Sequence, residues 1–172
     1  MSEALKAAVR DVADFPKPGI LFKDITPILS DPALFQSAIN AFKEIALALK
    51  IDKIAGIDAR GFIFGAPLAL ELGVGFVPLR KKGKLPFNTQ SVSYELEYGS
   101  AELEAHIDAF APGERVLIID DLLATGGTAS AAVELINKAN ATLAGISFLI
   151  ELEFLHGRDK LPSNLIYSII KY

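Results

Sequence analysis

The sequence predicts an α/β fold, a central and mostly parallel twisted sheet with helices on both faces. Three observations predict it. Residues 53–57, 115–119, 144–151 and 165–170 are short, nearly continuous apolar runs rather than alternating ones, as strands buried on both faces require. Segments of helical apolar spacing lie between several of them, so parallel strands can be joined by right-handed crossovers. At 172 residues and 51% hydrophobic composition, the chain can bury about two thirds of its unfolded surface in one domain. Ligands of such sheets sit at the carboxyl ends of the strands, so the residues just after each strand carry the information about function.

The chain begins with a short amphipathic stretch. The segment Asp14-Phe-Pro-Lys-Pro-Gly-Ile-Leu-Phe22 has two prolines and a glycine and is expected to be an irregular apolar loop. Ser30-Asp31-Pro32 supplies a capping residue and a proline at a first helical position, and Leu34, Ile39, Phe42, Ile45, Ala46 and Leu49 continue a helix from about 31 to 49. A strand over 53–57 leads to a helix over 60–72 that faces the core on Phe64, Leu68 and Leu72 and stops at Gly73. A second strand over 75–79 runs into the basic cluster Arg80-Lys81-Lys82-Gly83-Lys84. Residues 92–98 and 101–107 form a hairpin around Gly99-Ser100 that looks inserted into the α/β pattern. After the Pro112-Gly113 turn comes the strongest strand, 115–119, then a helix over about 128–138 and strands over 144–151 and 165–170.

Composition removes several classes of function. The formal charge of −4 gives no overall attraction for nucleic acid or anionic membrane, so an anion must be bound locally. Without cysteine there is no disulfide, thiolate metal site or cysteine nucleophile, which is compatible with a reducing cytoplasm. The first ten residues lack an apolar stretch of signal-peptide length, and Arg60, Glu71, Asp120 and Asp121 interrupt the most apolar windows well short of a membrane span, so no membrane partner is expected. His106 and His156 are isolated and receive no catalytic role.

The chemistry concentrates in Val116-Leu-Ile-Ile-Asp-Asp-Leu-Leu-Ala-Thr-Gly-Gly-Thr128, a buried strand ending in two carboxylates and followed by a small-residue loop that opens a helix. Ala124, Thr125, Gly126, Gly127 and Thr128 carry little bulk, so consecutive backbone amides can converge on an anion at a helix N-terminus. A phosphate monoester suits that cup. Asp120 and Asp121 could accept hydrogen bonds from vicinal hydroxyls such as those of ribose, or hold a divalent cation. A Walker loop is excluded because no lysine follows the glycines, and the dinucleotide fingerprint lacks its third glycine.

This string resembles the phosphoribosyl pyrophosphate motif of type I phosphoribosyltransferases, and its Leu-Leu-Ala-Thr-Gly-Gly-Thr wording is similar to the adenine-specific branch. The same branch is resembled by Phe15-Pro-Lys-Pro-Gly-Ile-Leu-Phe-Lys-Asp-Ile-Thr-Pro27, Ala59-Arg-Gly-Phe-Ile-Phe-Gly65, Arg80-Lys-Lys-Gly-Lys-Leu-Pro86, Tyr94-Glu-Leu-Glu-Tyr-Gly99 and Glu151-Leu-Glu-Phe-Leu-His-Gly-Arg158. The resemblance implies the type I fold in a single domain over residues 1–172, with a small hood over roughly residues 1–30 and a flexible loop and hairpin over roughly 81–107. It implies adenine and phosphoribosyl pyrophosphate as substrates, AMP and pyrophosphate as products, magnesium carried by the pyrophosphate rather than by a protein cluster, a homodimer to which the 60–72 surface contributes, and no nucleic-acid partner.

The resemblance also implies roles for residues. Residues 124–128 take the 5-phosphate, and Asp120 and Asp121 the ribose hydroxyls. Asp58, Ala59 and Arg60 form the pyrophosphate loop, which in the family often holds a non-proline cis peptide just before the arginine. Arg80, Lys81 and Lys84 also meet pyrophosphate, with Arg60 and Lys84 acting on the leaving group. Glu97 manages the proton at adenine, with Glu95 its rival on the same strand. Leu21, Phe22 and Lys23 form the adenine site, Lys23 standing where the family usually has arginine, and residues 85–93 are a mobile lid. Two other readings share the motif. A transferase for another purine such as xanthine would differ in base recognition, which substrate competition separates. A non-enzymatic regulator that senses phosphoribosyl pyrophosphate would need a DNA-binding segment, for which no basic recognition helix is present.

Overall fold

The computed structural model describes residues 2–95 and 99–172. Among the described residues, nine strands and five α-helices follow in the order α1 (Ser2–Ala8), β1 (Arg10–Ala13), β2 (Leu21–Asp24), α2 (Thr26–Ser30), α3 (Pro32–Leu49), β3 (Lys53–Ile57), α4 (Arg60–Leu72), β4 (Gly75–Lys81), β5 (Thr89–Glu95), β6 (Ser100–His106), β7 (Arg115–Leu123), α5 (Gly127–Lys138), β8 (Thr142–Glu151) and β9 (Ile166–Lys171). Three short 3-10 turns, Glu153–Leu155, Gly157–Lys160 and Ser163–Leu165, join β8 to β9.

The main sheet has the order β5-β6-β4-β3-β7-β8-β9. Its five strands from β4 to β9 are parallel, and β6 and β5 extend it as an antiparallel edge. The expected α/β class with a mostly parallel sheet is thus the observed one. Alternation along the central strands divides the apolar residues into two cores. Ile54, Leu117 and Ile119 face α1 to α4, with Phe42, Phe64 and Leu68 buried against them. Ala55, Ile57, Val116 and Ile118 face α5, whose Ala132, Leu135 and Ile136 close the other side.

Local signals set several element ends. The Asp31 carboxylate accepts hydrogen bonds from the amides of Ala33 and Leu34 at 2.8 and 3.0 Å, and Pro32 opens α3. Gly73, at φ +66°, ends α4 in the left-handed region that glycine adopts without strain.

The structure corrects three expectations. Residues 14–20 are irregular, but Leu21 and Phe22 belong to β2, which pairs antiparallel with β1 in a two-stranded ribbon. The pairing was hidden because β1 and β2 are four residues each and carry no usable periodicity. The strand expected to stop before the two carboxylates runs on through Leu123, because β8 continues beside it with Asp120 opposite Phe148 and Leu123 opposite Glu151. The hairpin begins at Thr89 rather than Val92, so residues 89–93 of the expected lid are hydrogen-bonded strand. Among the described residues no helix is long and apolar enough to cross a membrane.

Candidate active site

The two central strands, β3 and β7, lie side by side and parallel, so their carboxyl ends deliver residues 58–60 and 120–121 to one place. A cavity of about 500 Å³ opens there. Asp58 and Ala59 line it from the turn after β3, Arg60 from the start of α4, Lys81 from β4, Tyr94 and Ala101 from the hairpin, Asp120, Asp121 and Leu122 from β7, and Thr128 from α5. The peptide bond between Asp58 and Ala59 is cis, at the pair before the arginine.

Arg60 is the first residue of α4, and what brings it over β7 is Gly61. A Cβ at Gly61 would lie 2.5 Å from the Ile119 carbonyl oxygen and 3.3 Å from Asp120, so only glycine allows the helix to start this close to the strand. The Arg60 Nε then donates to Asp121 Oδ2 at 2.5 Å, and its guanidinium lies 5.8 Å from the centroid of the Phe22 ring. Burial works against the Arg60 charge, but Asp121, and behind it Asp120 and Asp24, outweigh it and hold the pKa above the usual arginine value. Asp121 is buried at 4% exposure. Asp120 is half-buried and accepts a hydrogen bond from the Asp121 amide at 2.9 Å. Its removal from water, and then the neighbouring Asp121 carboxylate, push its pKa well above the ordinary aspartate value. A carboxyl pair held this way gains from hydroxyl or cationic partners in the cavity.

Residues 124–128 enclose a second, smaller cavity of about 80 Å³ that shares Asp120, Leu122 and Thr128 with the first. Gly126 caps α5 at φ +79°, so the loop and the N-terminal end of the helix border this space. Residues 124–128 therefore wrap a small cavity next to the acidic pair.

The basic residues do not all converge. Lys81 lines the main cavity. The Arg80 Nε donates instead to Asp58 at 3.2 Å and its Nη1 to the Lys84 carbonyl at 3.3 Å, tying the end of β4 to the turn after β3. Lys84 is exposed beyond that turn, and neither Arg80 nor Lys84 lines the cavity. Lys82 pairs with Glu102, and the Gly83 amide donates to the buried Glu104 at 3.0 Å, which anchors the basic turn on β6.

On the N-terminal side, Phe22 packs edge-on against Phe15 at 5.1 Å and Leu21 is exposed. The Lys23 ammonium is occupied elsewhere, donating to Asp11 at 2.5 Å and lying 3.9 Å from the centroid of the Tyr172 ring. Only the main chain of Lys23 is left for a ligand. Glu97 lies outside the described residues, while Glu95 is exposed on β5. Tyr94 and Ala101 in the cavity wall were not legible in the sequence, since an inserted hairpin gives no sign of which strand face turns toward the sheet; Leu122 was not, because β7 extends past its expected end.

A small-residue loop at a helix N-terminus, an acidic pair, and Arg60 and Lys81 thus meet at the carboxyl end of the parallel sheet. Residues 24–168 match the phosphoribosyl transferase domain, and the chain belongs to that family. Adenine phosphoribosyltransferases are among the proteins it is similar to over nearly its whole length. That of Nitrosococcus oceani is 56% identical over 170 residues, covering 99% of both chains. The crystal structure of the enzyme from Thermoanaerobacter pseudethanolicus is 52% identical and superposes over 100% of both chains with a TM-score of 0.96. The Saccharomyces cerevisiae enzyme, solved with D-2,5-dideoxy-2,5-imino-altritol 1,6-bisphosphate and adenine, is 46% identical with a TM-score of 0.94 over 98% of this chain and 97% of its own.

Proposed function

We infer that the chain transfers the 5-phosphoribosyl group of phosphoribosyl pyrophosphate to adenine, forming AMP and releasing pyrophosphate. The observation that carries the reading is the adjacency of the small cavity at residues 124–128 to the larger one lined by Asp120, Asp121 and Arg60, the two sharing Asp120, Leu122 and Thr128. A 5-phosphate in the cup places a ribose over the acidic pair, whose carboxylates accept from its two hydroxyls. Its anomeric carbon and pyrophosphate then lie toward Arg60 and Lys81. As the C–O bond to pyrophosphate breaks, charge builds on the leaving group and on the sugar, and cations already in place stabilise the first without reorganising. A ring nitrogen of adenine attacks the opposite face of the sugar, with inversion.

Arg80 and Lys84, next along the chain from Lys81, add positive charge on the pyrophosphate side, with Arg80 held there by Asp58. Magnesium enters as part of the substrate, bound to the diphosphate. It commonly keeps several waters and is bound through substrate phosphates rather than by a cage of protein ligands. Leu21 and Phe22 offer apolar faces to the base, the Lys23 main chain offers hydrogen bonds, and Glu97 handles the adenine proton. A homodimer is supported by Ile63 and Leu70, exposed on α4 at 36% and 85%. The cysteine-free composition suits a cytoplasmic location.

The test is incorporation of labelled adenine into AMP with phosphoribosyl pyrophosphate, using hypoxanthine, guanine and xanthine as competing bases. Adenine is expected to be consumed in preference to the others, and a chelator in excess of magnesium is expected to stop the reaction. Equal use of an oxopurine would overturn the base assignment.

A further inference from the structure

The turn that follows β8 carries a buried charge cluster that the reaction itself does not use. Glu151, at 2% exposure, ends β8 between Leu123 of β7 and Lys171 of β9. Arg158 grips it with both arms of the guanidinium, Nε to Oε1 at 2.5 Å and Nη2 to Oε2 at 2.9 Å. Ser168 of β9 donates to the same carboxylate at 2.5 Å and accepts from Arg158 at 3.4 Å. A cluster of this kind is a poor source of stability, since desolvation cancels much of the attraction and apolar packing would serve as well. What a bidentate pair provides is one fixed orientation of the chain that carries the arginine.

That chain begins with Gly157, whose main chain lies directly against the anion cup. A Cβ on Gly126 would collide with the Gly157 carbonyl oxygen, and a Cβ on Gly157 would collide with the Ala124 carbonyl oxygen and stand 2.9 Å from Leu123 Cδ1 and 3.1 Å from the Gly126 amide nitrogen. The two glycines interlock backbone to backbone. The Leu152 amide adds a bond to the Leu123 carbonyl at 3.0 Å, just ahead of the cup. The cup thus has two sides, one open to the ligand and one formed by the turn that Arg158 holds.

We propose that Arg158, through its clasp on Glu151 and Ser168, is a positioning residue for the 5-phosphate cup, holding Gly157 against residues 124–126 so that their amides stay aimed at one point. This rests on the phosphoribosyl transfer reading above and adds residues that never touch substrate.

The test separates affinity for the phosphate end from affinity for the base. Gly157→Ala leaves the ion pair intact and pushes on the cup directly. Arg158→Lys keeps the charge but loses the bidentate fork. Ribose 5-phosphate is titrated calorimetrically into each folded variant, and KM is measured for phosphoribosyl pyrophosphate and for adenine. Gly157→Ala is expected to weaken ribose 5-phosphate and raise KM for phosphoribosyl pyrophosphate by about tenfold, with Arg158→Lys between it and the wild type and KM for adenine within twofold throughout. Ribose 5-phosphate affinity unchanged in both variants, with only the melting temperature lowered, would show the clasp to be a structural fastener and overturn the proposal. If the wild-type protein bound ribose 5-phosphate but did not incorporate adenine, the base assignment would fail while the clasp stood. If it bound no ribose 5-phosphate, both would fail.

Discussion

Gly61→Ala tests whether the contact between α4 and β7 sets the active geometry. Alanine is the better helix former by about 1 kcal/mol, so helix propensity alone makes the variant more stable. The structure opposes this. The new Cβ would stand 2.5 Å from the Ile119 carbonyl oxygen. Carbon and oxygen tolerate roughly 3.3 Å, so the first turn of α4 must retreat by about 0.8 Å from a strand that cannot move, being paired on both sides. Overpacking of this kind costs about 1–3 kcal/mol, so the net change is a loss of about 1 kcal/mol and a melting temperature lower by roughly 2–4 °C. The functional cost is larger, because Arg60 leaves its 2.5 Å contact with Asp121, and misplacing a catalytic group by about 1 Å lowers rate by about a hundredfold. Thermal melts and steady-state kinetics are expected to show a hundredfold loss of kcat/KM on a nearly intact fold. A variant that melted higher than wild type and kept kcat/KM within threefold would refute the reasoning.

Three other variants test separate parts of the site. Asp120→Asn keeps the acceptor for the Asp121 amide but removes a charge that burial and Asp121 make costly, so at neutral pH the melting temperature is expected to rise by roughly 1–6 °C while kcat/KM falls tenfold or more. Because the folded pKa of Asp120 is raised, wild type recovers that difference as pH falls through it, and melts over a pH series should show the two proteins converging in acid. Thr128→Val removes the hydroxyl of a residue that lines both cavities and is expected to leave the melt within 2 °C while lowering kcat/KM by about tenfold. Glu151 has the opposite sign to Asp120: burial opposes its charge, but Arg158 and Ser168 hold its pKa below the ordinary value of 4.5, so its stabilisation is complete above that pH and lost as pH falls through the folded pKa. Glu151→Gln is expected to cost about 3 kcal/mol at pH 7, or roughly 6–12 °C, and to show a shallower acid decline than wild type in melts from pH 6 to 3.

The parallel sheet was legible because β3, β7, β8 and β9 are apolar through most of their length, and such runs have few alternatives to a doubly covered strand. The acidic pair and the cup were legible because their chemistry is contiguous, nine residues from Asp120 to Thr128. Contacts distant in sequence were not legible. Nothing in Arg80 indicates that its guanidinium turns back to Asp58, nor in Lys23 that its ammonium reaches Asp11 and Tyr172. The ribbon of β1 and β2 was missed for a related reason, since four-residue strands are specified by what they pair with rather than by their own pattern.

The glycines connect these two kinds of information. Gly61, Gly126 and Gly157 are ordinary in composition, yet at each one an added Cβ would strike a backbone carbonyl oxygen of a different segment. Backbone cannot yield as a flexible side chain can, so these positions fix the distances between α4 and β7 and between the cup and the turn after β8. The charged groups sit where those distances matter, Arg60 beside Gly61 and Arg158 beside Gly157, each paired with a buried carboxylate. An arginine next to a backbone contact carries the placement of that contact to its own guanidinium with no rotatable segment between except its side chain, which the carboxylate then fixes. Close packing and charge pairing therefore act in series here, and losing either one should loosen the same ligand contacts.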